Sequence, residues 1–286
     1  YVNTPSFQEG RFVFMQADLE AAATLGKWSA VGTIGFQDPG ADSGFSAYLI
    51  SRRHYFLFRP TDEISFRAGR FFYHYGLNMP EHTLVIRGGL AGARTGLQIN
   101  DQGFETYNVE GSWIGEKHST FVTGILGRLD APDLNREQGI ALNSSIPLGE
   151  SHKLGFSLLH GTTKDIRRHV FGPYAALGFS PRFFLLSELD FQRAAFRTQT
   201  LSPVWGFANY NRLNYEWSKG FHTYITQEFG RLDFSRDRSI VKAFGLGTQF
   251  FPRPHFEFNF TWQKQVVRAR SRDYMDVAYL LLHYYL

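Results

Sequence analysis

The sequence predicts an all-β fold, a single transmembrane antiparallel β-barrel of about sixteen strands, on three observations. Apolar and polar residues alternate along most of the chain, turn signals recur at regular intervals, and aromatic residues make up 17% of the 286 residues. A period of two predicts extended strands that have one apolar and one polar face. Helical periodicity is nearly absent from the sequence, and only residues 16–25 resemble a helix locally.

The composition excludes several classes of protein. The chain has no cysteine, so a disulfide scaffold, cysteine-ligated zinc and a thiol nucleophile are ruled out. Hydrophobic residues reach 43%, which is too high for a disordered chain. No window approaches the ~18 apolar residues of a spanning helix. The net charge is +4 without a lysine-rich run, so no nucleic-acid partner is predicted.

The alternation is clearest in residues 255–265, where Phe256, Phe258 and Phe260 oppose Glu257 and Asn259. Similar patterns predict sixteen strands, with 14 to 18 as the acceptable range, since strand boundaries are the least certain part of such a prediction. The predicted strands are 10–24, 27–37, 44–58, 62–73, 92–99, 103–114, 118–129, 137–147, 152–163, 168–179, 182–195, 205–217, 221–232, 239–251, 254–267 and 274–286. Together with their connections they fill the chain, so residues 1–286 are predicted to be one domain.

Short and long turns alternate in the second half of the chain. The short turns are 115–119, 149–152, 180–181, 218–220 and 252–254. The long, polar turns are 130–136, 164–168, 197–203, 233–239 and 268–273. This alternation is typical of a barrel whose short turns face the periplasm and whose long loops face the cell exterior. An even number of strands then predicts that both termini are periplasmic.

The apolar face of these strands is predicted to contact lipid, and the polar face to line a hydrated lumen. The aromatic excess fits the aromatic girdles of a barrel at the two membrane interfaces. A soluble all-β protein would also alternate and is the alternative. The predicted lumen-lining residues are Glu188, Asp190, Arg212, Glu216, Glu228 and Glu257.

Two segments resemble a known family. In residues 276–286 (DVAYLLLHYYL), alternate side chains form one apolar row that is similar to the C-terminal strand of Gram-negative outer-membrane barrels. The row consists of Ala278, Leu280, Leu282, Tyr284 and Leu286, and the family pattern usually ends in Phe where this chain has Leu286. Residues 69–78 (GRFFYHYGLN) resemble a Gly-aromatic-Gly-Leu stretch of phosphate-selective porins. By architecture the whole chain resembles outer-membrane porins, which implies a bacterial outer-membrane location, contact with membrane lipid and, by analogy, a homo-oligomer.

The segment from residue 74 to residue 91 interrupts the alternation. It contains several glycines and Pro80, and it is the longest break between predicted strands. Long irregular segments in compact domains are usually functional or mobile. The count of strands places the segment at the periplasmic end, where it would be a plug or a docking element for a soluble partner. The porin resemblance instead implies that it constricts the lumen. An ordered turn without a transport role is a further alternative. The candidate constriction residues are His74, Glu81, His82, Arg87 and Arg94.

The long turns are rich in arginine, which predicts a basic extracellular rim. Arginine forms bidentate pairs with phosphate, so the rim is expected to contact lipopolysaccharide or to attract anions, with plain solvated loop charge as the alternative. The predicted rim residues are Arg167, Arg168, Arg236, Arg238, Arg268, Arg270 and Arg272.

The function predicted from these features is a passive channel for ions or small hydrophilic solutes. A structural barrel that holds a lumenal or periplasmic protein is the main alternative, because Tyr279, Leu281 and Tyr285 are expected to face inward as an apolar patch. A hydrolase with a site at the rim is the third. The sequence has no GxSxG, HExxH or glycine-rich phosphate motif, so no catalytic residue, metal site or cofactor is predicted.

Overall fold

A computed structural model describes residues 16–37, 48–77, 105–129, 137–197, 202–237, 239–267 and 273–284. These residues form sixteen β-strands in one antiparallel sheet. Among the described residues, no helix is long and apolar enough to cross a membrane. The strands are β1 (Gln16–Leu25), β2 (Trp28–Gln37), β3 (Tyr48–Ile50), β4 (His54–Phe58), β5 (Ile64–Phe71), β6 (Thr106–Ile114), β7 (Ser119–Gly127), β8 (Gln138–Leu148), β9 (His152–Thr162), β10 (Ile166–Ser180), β11 (Phe183–Phe196), β12 (Val204–Ser218), β13 (Phe221–Arg231), β14 (Ile240–Phe250), β15 (Phe256–Val267) and β16 (Met275–Tyr284).

The sheet is a meander in which chain neighbours pair with each other. Strands β3 and β4 both pair with β2, so they occupy one position that is interrupted at residues 51–53, and the sheet has fifteen positions in order. Within the described residues, no ladder joins β16 to β1. The predicted strands agree with the structure to within a few residues where both are described; the predicted strand 92–99 and the chain ends, with their predicted periplasmic position, lie outside the described residues.

The two faces of the sheet have the reverse of the polarity found in a water-soluble protein. In β15, Phe258 and Phe260 are exposed, whereas Glu257, Thr261 and Gln263 are buried. The same alternation recurs in the neighbouring strands. Large apolar side chains are exposed on one face of the sheet, and polar side chains are buried on the other. Such an arrangement is stable where the exposed face contacts lipid and the polar face is turned inward.

Tyrosines on the inner face lie against glycines of neighbouring strands. A Cβ atom added at Gly155 would collide with the ring of Tyr174, and one added at Gly247 would collide with the ring of Tyr224. The Tyr174 hydroxyl donates to Asn143 Oδ1 at 2.7 Å. Because glycine has no side chain, these tyrosine rings can lie close to the backbone of the neighbouring strands.

The connections of the sheet differ in length at its two ends. Residues 115–118, between β6 and β7, belong to the short type. Because Ile64 pairs with Trp113 and Phe71 pairs with Thr106, the chain leaves β5 and enters β6 at the opposite end of the sheet, where the long connections lie. The prediction that segment 74–91 lies at the end with the short turns is therefore wrong for its described beginning. The prediction inserted a strand between β5 and β6, which in fact pair directly.

Candidate functional site

The residues that follow β5 run along the inner face of the sheet. We call residues 72–77 the docking segment. Their partners come from β6, β8, β9 and β11, so this short stretch of chain crosses several strands. The docking segment and Glu105 are the described parts of the connection between β5 and β6, since residues 78–104 lie outside the described residues.

Polar groups of the inner wall anchor the docking segment. The Tyr75 hydroxyl donates to Asp190 Oδ1 at 3.0 Å, and the Leu77 amide donates to Glu188 Oε2 at 2.7 Å. The Gly76 amide donates to Ser157 Oγ at 2.8 Å. Hydrogen bonds to carboxylates are about twice as strong as neutral ones, so Glu188 and Asp190 are the strongest of these anchors.

An apolar patch of the inner wall receives the tyrosines of the docking segment. Tyr73 and Tyr75 are only 4% and 1% exposed. Their burial removes a large aromatic area from water, which adds to the polar anchors. The side chains of the wall in this cluster come from β7, β8, β9 and β10 and are Ile125, Ala141, Leu159 and Val170.

Gly76 is the residue of the docking segment that tolerates no side chain. Its φ angle is 61°, in the left-handed region that other residues rarely adopt. A Cβ atom at this position would also collide with the carboxylate of Glu188. The backbone can therefore approach Glu188 closely enough for the Leu77 hydrogen bond only because residue 76 is glycine.

His74 is the one candidate constriction residue that the structure describes. Its Nδ1 lies 2.9 Å from Glu110 Oε2, and its ring stacks on Phe121 with centroids 3.8 Å apart. Arg67 Nη2 donates to the other oxygen of Glu110 at 2.7 Å. His74 is partly exposed on the inner face. The other four candidates, Glu81, His82, Arg87 and Arg94, lie outside the described residues.

The predicted lumen-lining residues all lie on the polar face of the sheet. Glu188, Asp190, Glu228 and Glu257 are buried there. Gln263 donates to Glu228 at 2.8 Å. The remaining two are half-buried and are Arg212 and Glu216.

A second polar network continues along β12–β16. The guanidinium of Arg212 lies 3.8 Å from the ring centroid of Tyr224 and donates to Gln249 Oε1 at 3.1 Å. Gln249 in turn donates to Glu257, whose other oxygen lies 3.1 Å from His283 Nδ1. Acidic and basic side chains thus both occur on this wall, and each is hydrogen-bonded to neighbouring side chains. Among the described residues, no group of three or more His, Asp or Glu side chains is arranged to hold a metal ion.

Arg168 does not lie on the exposed rim, contrary to the expectation. Its side chain is buried on the inner face and forms a bidentate ion pair with Glu137. The neighbouring Arg167 points the other way and is exposed, because successive residues of a strand alternate between faces.

The described part of the rim beyond β13 is a hydrogen-bonded loop. Ser235 donates to Asp233 through both its amide and its hydroxyl, and these bonds, with the nearby Arg236 at 3.2 Å, lower the pKa of Asp233. Arg236 is exposed. The other predicted rim residues, Arg238, Arg268, Arg270 and Arg272, lie outside the described residues.

A row of cationic and aromatic side chains crosses the outward face near the long connections. His169 pairs in register with His160 on one side and with Arg193 on the other, and Arg193 pairs with Trp205. The two imidazoles are 3.2 Å apart at Nδ1, and the Arg193 guanidinium lies 5.8 Å from the Trp205 ring. We call these four residues the interface row.

The sequence reasoning did not find the apolar patch under the docking segment. The only prediction for the apolar face of the strands was that it contacts lipid. A signal was present, because Leu158 and Leu159 in β9, and Val170 and Phe171 in β10, are adjacent apolar pairs that place an apolar side chain on each face. Such pairs in otherwise alternating strands indicate that something apolar packs inside.

Comparison with known proteins identifies the fold. No protein-family model matches the chain, and no curated protein matches it. Solved structures do match. OmpT in its trimer form, an outer membrane protein of Vibrio cholerae, has a TM-score of 0.68 at 11% identity over 95% of this chain and 91% of its own.

Two further solved structures of outer-membrane proteins are similar in fold to this chain. OmpF of Salmonella typhi, solved in complex with daunomycin, has a TM-score of 0.69 at 11% identity over 94% of this chain and 89% of its own. The anion-selective porin of Comamonas acidovorans has a TM-score of 0.61 at 12% identity over 87% and 78%. The chain therefore has the β-barrel fold of the outer-membrane porins, which confirms the all-β barrel predicted from the sequence.

Proposed function

We propose that this protein is a channel of the bacterial outer membrane through which ions or small hydrophilic solutes diffuse passively. The observation that carries the proposal is the docking segment, a piece of chain held against the inner wall of a sheet whose outward face is apolar. Barrels of about this many strands can enclose an aqueous pore. The proposal assigns no chemical reaction to the protein.

In this proposal the docking segment narrows the lumen on one side. Its anchors are buried, whereas His74 is partly exposed beside Glu110 and Arg67. Arg67 and the buried Glu110 thus place both signs of charge directly beside His74, which is the most exposed side chain of this group. The charge selectivity of the pore is set by this group together with the acidic wall of β11–β15.

Planar-bilayer recording tests the channel directly. Refolded protein that shows the heat-dependent gel shift of a folded barrel is added to one side of the bilayer, and a heat-denatured sample is the control. Stepwise increases of current are expected from the folded sample only. Folded protein that inserts without any current would contradict an open pore.

A barrel that holds a partner remains the alternative to a channel. The apolar patch of β7–β10 gives no argument for a foreign partner, because Tyr73 and Tyr75 of the same chain cover it. Tyr279 and Leu281 are half-buried on the inner face, and Tyr285 lies outside the described residues. A second protein that co-purifies in mild detergent at equal stoichiometry, with no conductance until it is removed, would favour this alternative.

We also propose that the interface row contacts the phosphates of outer-membrane lipid. Its side chains are cationic or aromatic, and they lie within a few residues of the strand ends, where aromatic girdles meet the headgroups. A groove of about 760 Å³, lined below the row by Leu142, Leu158 and Phe171, offers space for an acyl chain.

Native mass spectrometry of the protein from mild detergent tests this lipid contact. The Arg193→Leu variant is expected to retain less phosphorylated glycolipid than the wild type, since it loses a bidentate phosphate donor. Arg236→Leu, an exposed change in a loop, is the control. Equal retention by both variants would contradict the proposal.

A further inference from the structure

Two histidines of the interface row lie side by side on neighbouring strands. His160 in β9 pairs in register with His169 in β10. Each lies between two buried residues of its strand, so both side chains point outward. Their Nδ1 atoms are 3.2 Å apart, and their ring centroids are 4.6 Å apart. We call these two residues the histidine pair, in which two ring nitrogens face each other on the outer surface.

The backbone of β9 and β10 brings the histidine pair together. The Thr163 amide donates to the Ile166 carbonyl oxygen at 2.8 Å, next to the turn between the two strands. Hydrogen-bonded and non-hydrogen-bonded pairs alternate along an antiparallel ladder, and side chains are closer in the non-hydrogen-bonded pairs. Because the histidine pair is the third pair beyond Thr163 and Ile166, it belongs to the non-hydrogen-bonded kind. The register of two regular strands therefore fixes the short separation of the imidazoles.

The histidine pair differs from the other inward and outward histidines in its partners. Within the described part of the chain, each imidazole of the pair hydrogen-bonds only to the other. By contrast, His74 lies against Glu110 and His283 lies against Glu257, so a carboxylate is the partner of each of those rings. The nitrogens of the histidine pair are therefore available to a ligand that carries positive charge.

The separation of the two Nδ1 atoms suits a metal ion. Two metal–nitrogen bonds of about 2.1 Å that meet at about 90–109° hold their nitrogens about 3.0–3.4 Å apart. The observed 3.2 Å lies within this interval. A hydrogen bond between the imidazoles has a similar length and is the state of the pair without metal. When an ion binds, the proton on one Nδ1 moves to Nε2 of the same ring through water, and both Nδ1 lone pairs then face the ion.

We propose that the histidine pair binds a divalent transition-metal ion of the class that prefers imidazole, such as Cu²⁺, Ni²⁺ or Zn²⁺. Among the described residues, no carboxylate completes a group of three ligands, so water fills the remaining coordination positions. Mg²⁺ and Ca²⁺ require oxygen ligands, and the pair offers them none. They are therefore not expected to bind.

The surroundings of the histidine pair leave it open to hydrated ions. His169 is exposed, and the pair lies within a few residues of the strand ends. Two cations are close to it on the outward face, Arg193 beside His169 on β11 and Arg167 two residues earlier on β10. The Arg193 guanidinium lies toward Trp205, on the side of His169 away from His160. These cations oppose ions that bind by charge alone, so an ion held by directional bonds to imidazole is favoured.

Calorimetric titration with Cu²⁺ tests the site, using the untagged protein in a zwitterionic detergent without lipopolysaccharide. No cysteine competes for the ion. The wild type is expected to bind one equivalent tightly. His160→Gln and His169→Gln should each weaken this equivalent about 100-fold, because chelation by two imidazoles is lost. His152→Gln is the matched control, since His152 is exposed at the other end of β9 and pairs in register with Leu148 and Leu177.

Tight binding that persists in His160→Gln or His169→Gln, or that disappears in His152→Gln, would overturn the proposal. So would a wild type that binds no copper. Folding of every variant is checked by the heat-dependent gel shift. The result does not bear on the channel or on the lipid contact, because the site lies on the outer surface and the titration contains no lipid.

Urea denaturation with Zn²⁺ is a second measurement that does not depend on copper. An ion that binds the folded pair stabilises the folded state, so Zn²⁺ is expected to raise the urea midpoint of the wild type but not that of His169→Gln. Mg²⁺ at the same concentration should raise neither. An equal effect of Zn²⁺ on both proteins, an equal effect of Mg²⁺ and Zn²⁺, or no effect of Zn²⁺ on the wild type would overturn the proposal.

Discussion

Gly76 is where the docking segment depends most on a single residue. Its positive φ and its closeness to Glu188 both exclude a side chain, and the hydrogen bonds of the Gly76 and Leu77 amides follow from that geometry. The addition of a single Cβ atom at residue 76 would therefore disturb the contact between the docking segment and the inner wall. Two substitutions test the account at this scale.

Gly76→Ala is expected to loosen the docking segment without unfolding the barrel. A non-glycine residue at positive φ costs about 1–2 kcal/mol, and the added methyl group displaces Glu188. Hydrogen exchange at residues 76 and 77 should therefore become about tenfold faster. Gly32→Ala is the control, because a Cβ there meets no atom within 4 Å. Unchanged exchange in Gly76→Ala would show that the segment is not held as described.

Arg168→Met is expected to destabilise the barrel by about 3–5 kcal/mol, since it leaves Glu137 buried and without its cation. Adding Glu137→Met should restore much of the loss, because the unpaired charge is then removed. Arg167→Met, one residue away and exposed, is the control and should change stability by less than about 0.5 kcal/mol. Urea denaturation in detergent micelles measures all three. A loss in Arg167→Met equal to that in Arg168→Met would contradict the assignment of faces.

The strands show which parts of the structure a sequence of this kind determines. Alternation predicted β13 as 221–232, and the structure has Phe221–Arg231, because one buried and one lipid-facing surface fix both the period and the register. The same period does not determine which strands are neighbours when an irregular segment intervenes. For this reason the end of the sheet at which segment 74–91 begins was predicted wrongly.

The candidate site was harder to predict than the strands. Glu188 and Asp190 were found because acidic residues in the middle of an apolar strand must face a polar space. Their partners Tyr75 and Leu77 were not found, because these contacts join residues more than 100 positions apart along the chain. The position of Arg168 was predicted wrongly for a different reason. Its place near a strand end suggested an exposed loop, but residue 168 belongs to β10 and alternates with outward residues, so its side chain points inward.

The outward faces of β12 and β15 predict different depths for two tryptophans. Trp217 is next to the last residue of β12, whereas Trp262 is central in β15. In variants that keep one of the five tryptophans and replace the others with Phe, lipids brominated deep in the acyl chains should quench Trp262 more strongly than Trp217. Equal quenching of both residues would contradict a membrane-spanning orientation of these strands.

At the scale of the whole molecule, one long meander accounts for the fold. Apart from β3 and β4, which both pair with β2, each described strand pairs with its neighbours in the chain, and the buried polar side chains lie on one face of the sheet. The polar side chains of the inner wall then bind each other and the docking segment, while many large apolar side chains of the outer wall remain exposed. We expect membrane lipid to cover this exposed apolar surface.

The most direct test of this inside-out arrangement is cysteine labelling along β16 in proteoliposomes with a water-soluble, membrane-impermeant thiol reagent. In the isolated protomer Leu280 and Leu282 are 64% and 60% exposed, whereas Leu281 and His283 are half-buried on the inner face. The account predicts that cysteines at 281 and 283 react while those at 280 and 282 are protected by lipid. Fast reaction at 280 and 282 with protection at 281 and 283 is the pattern of a water-soluble sheet and would contradict it.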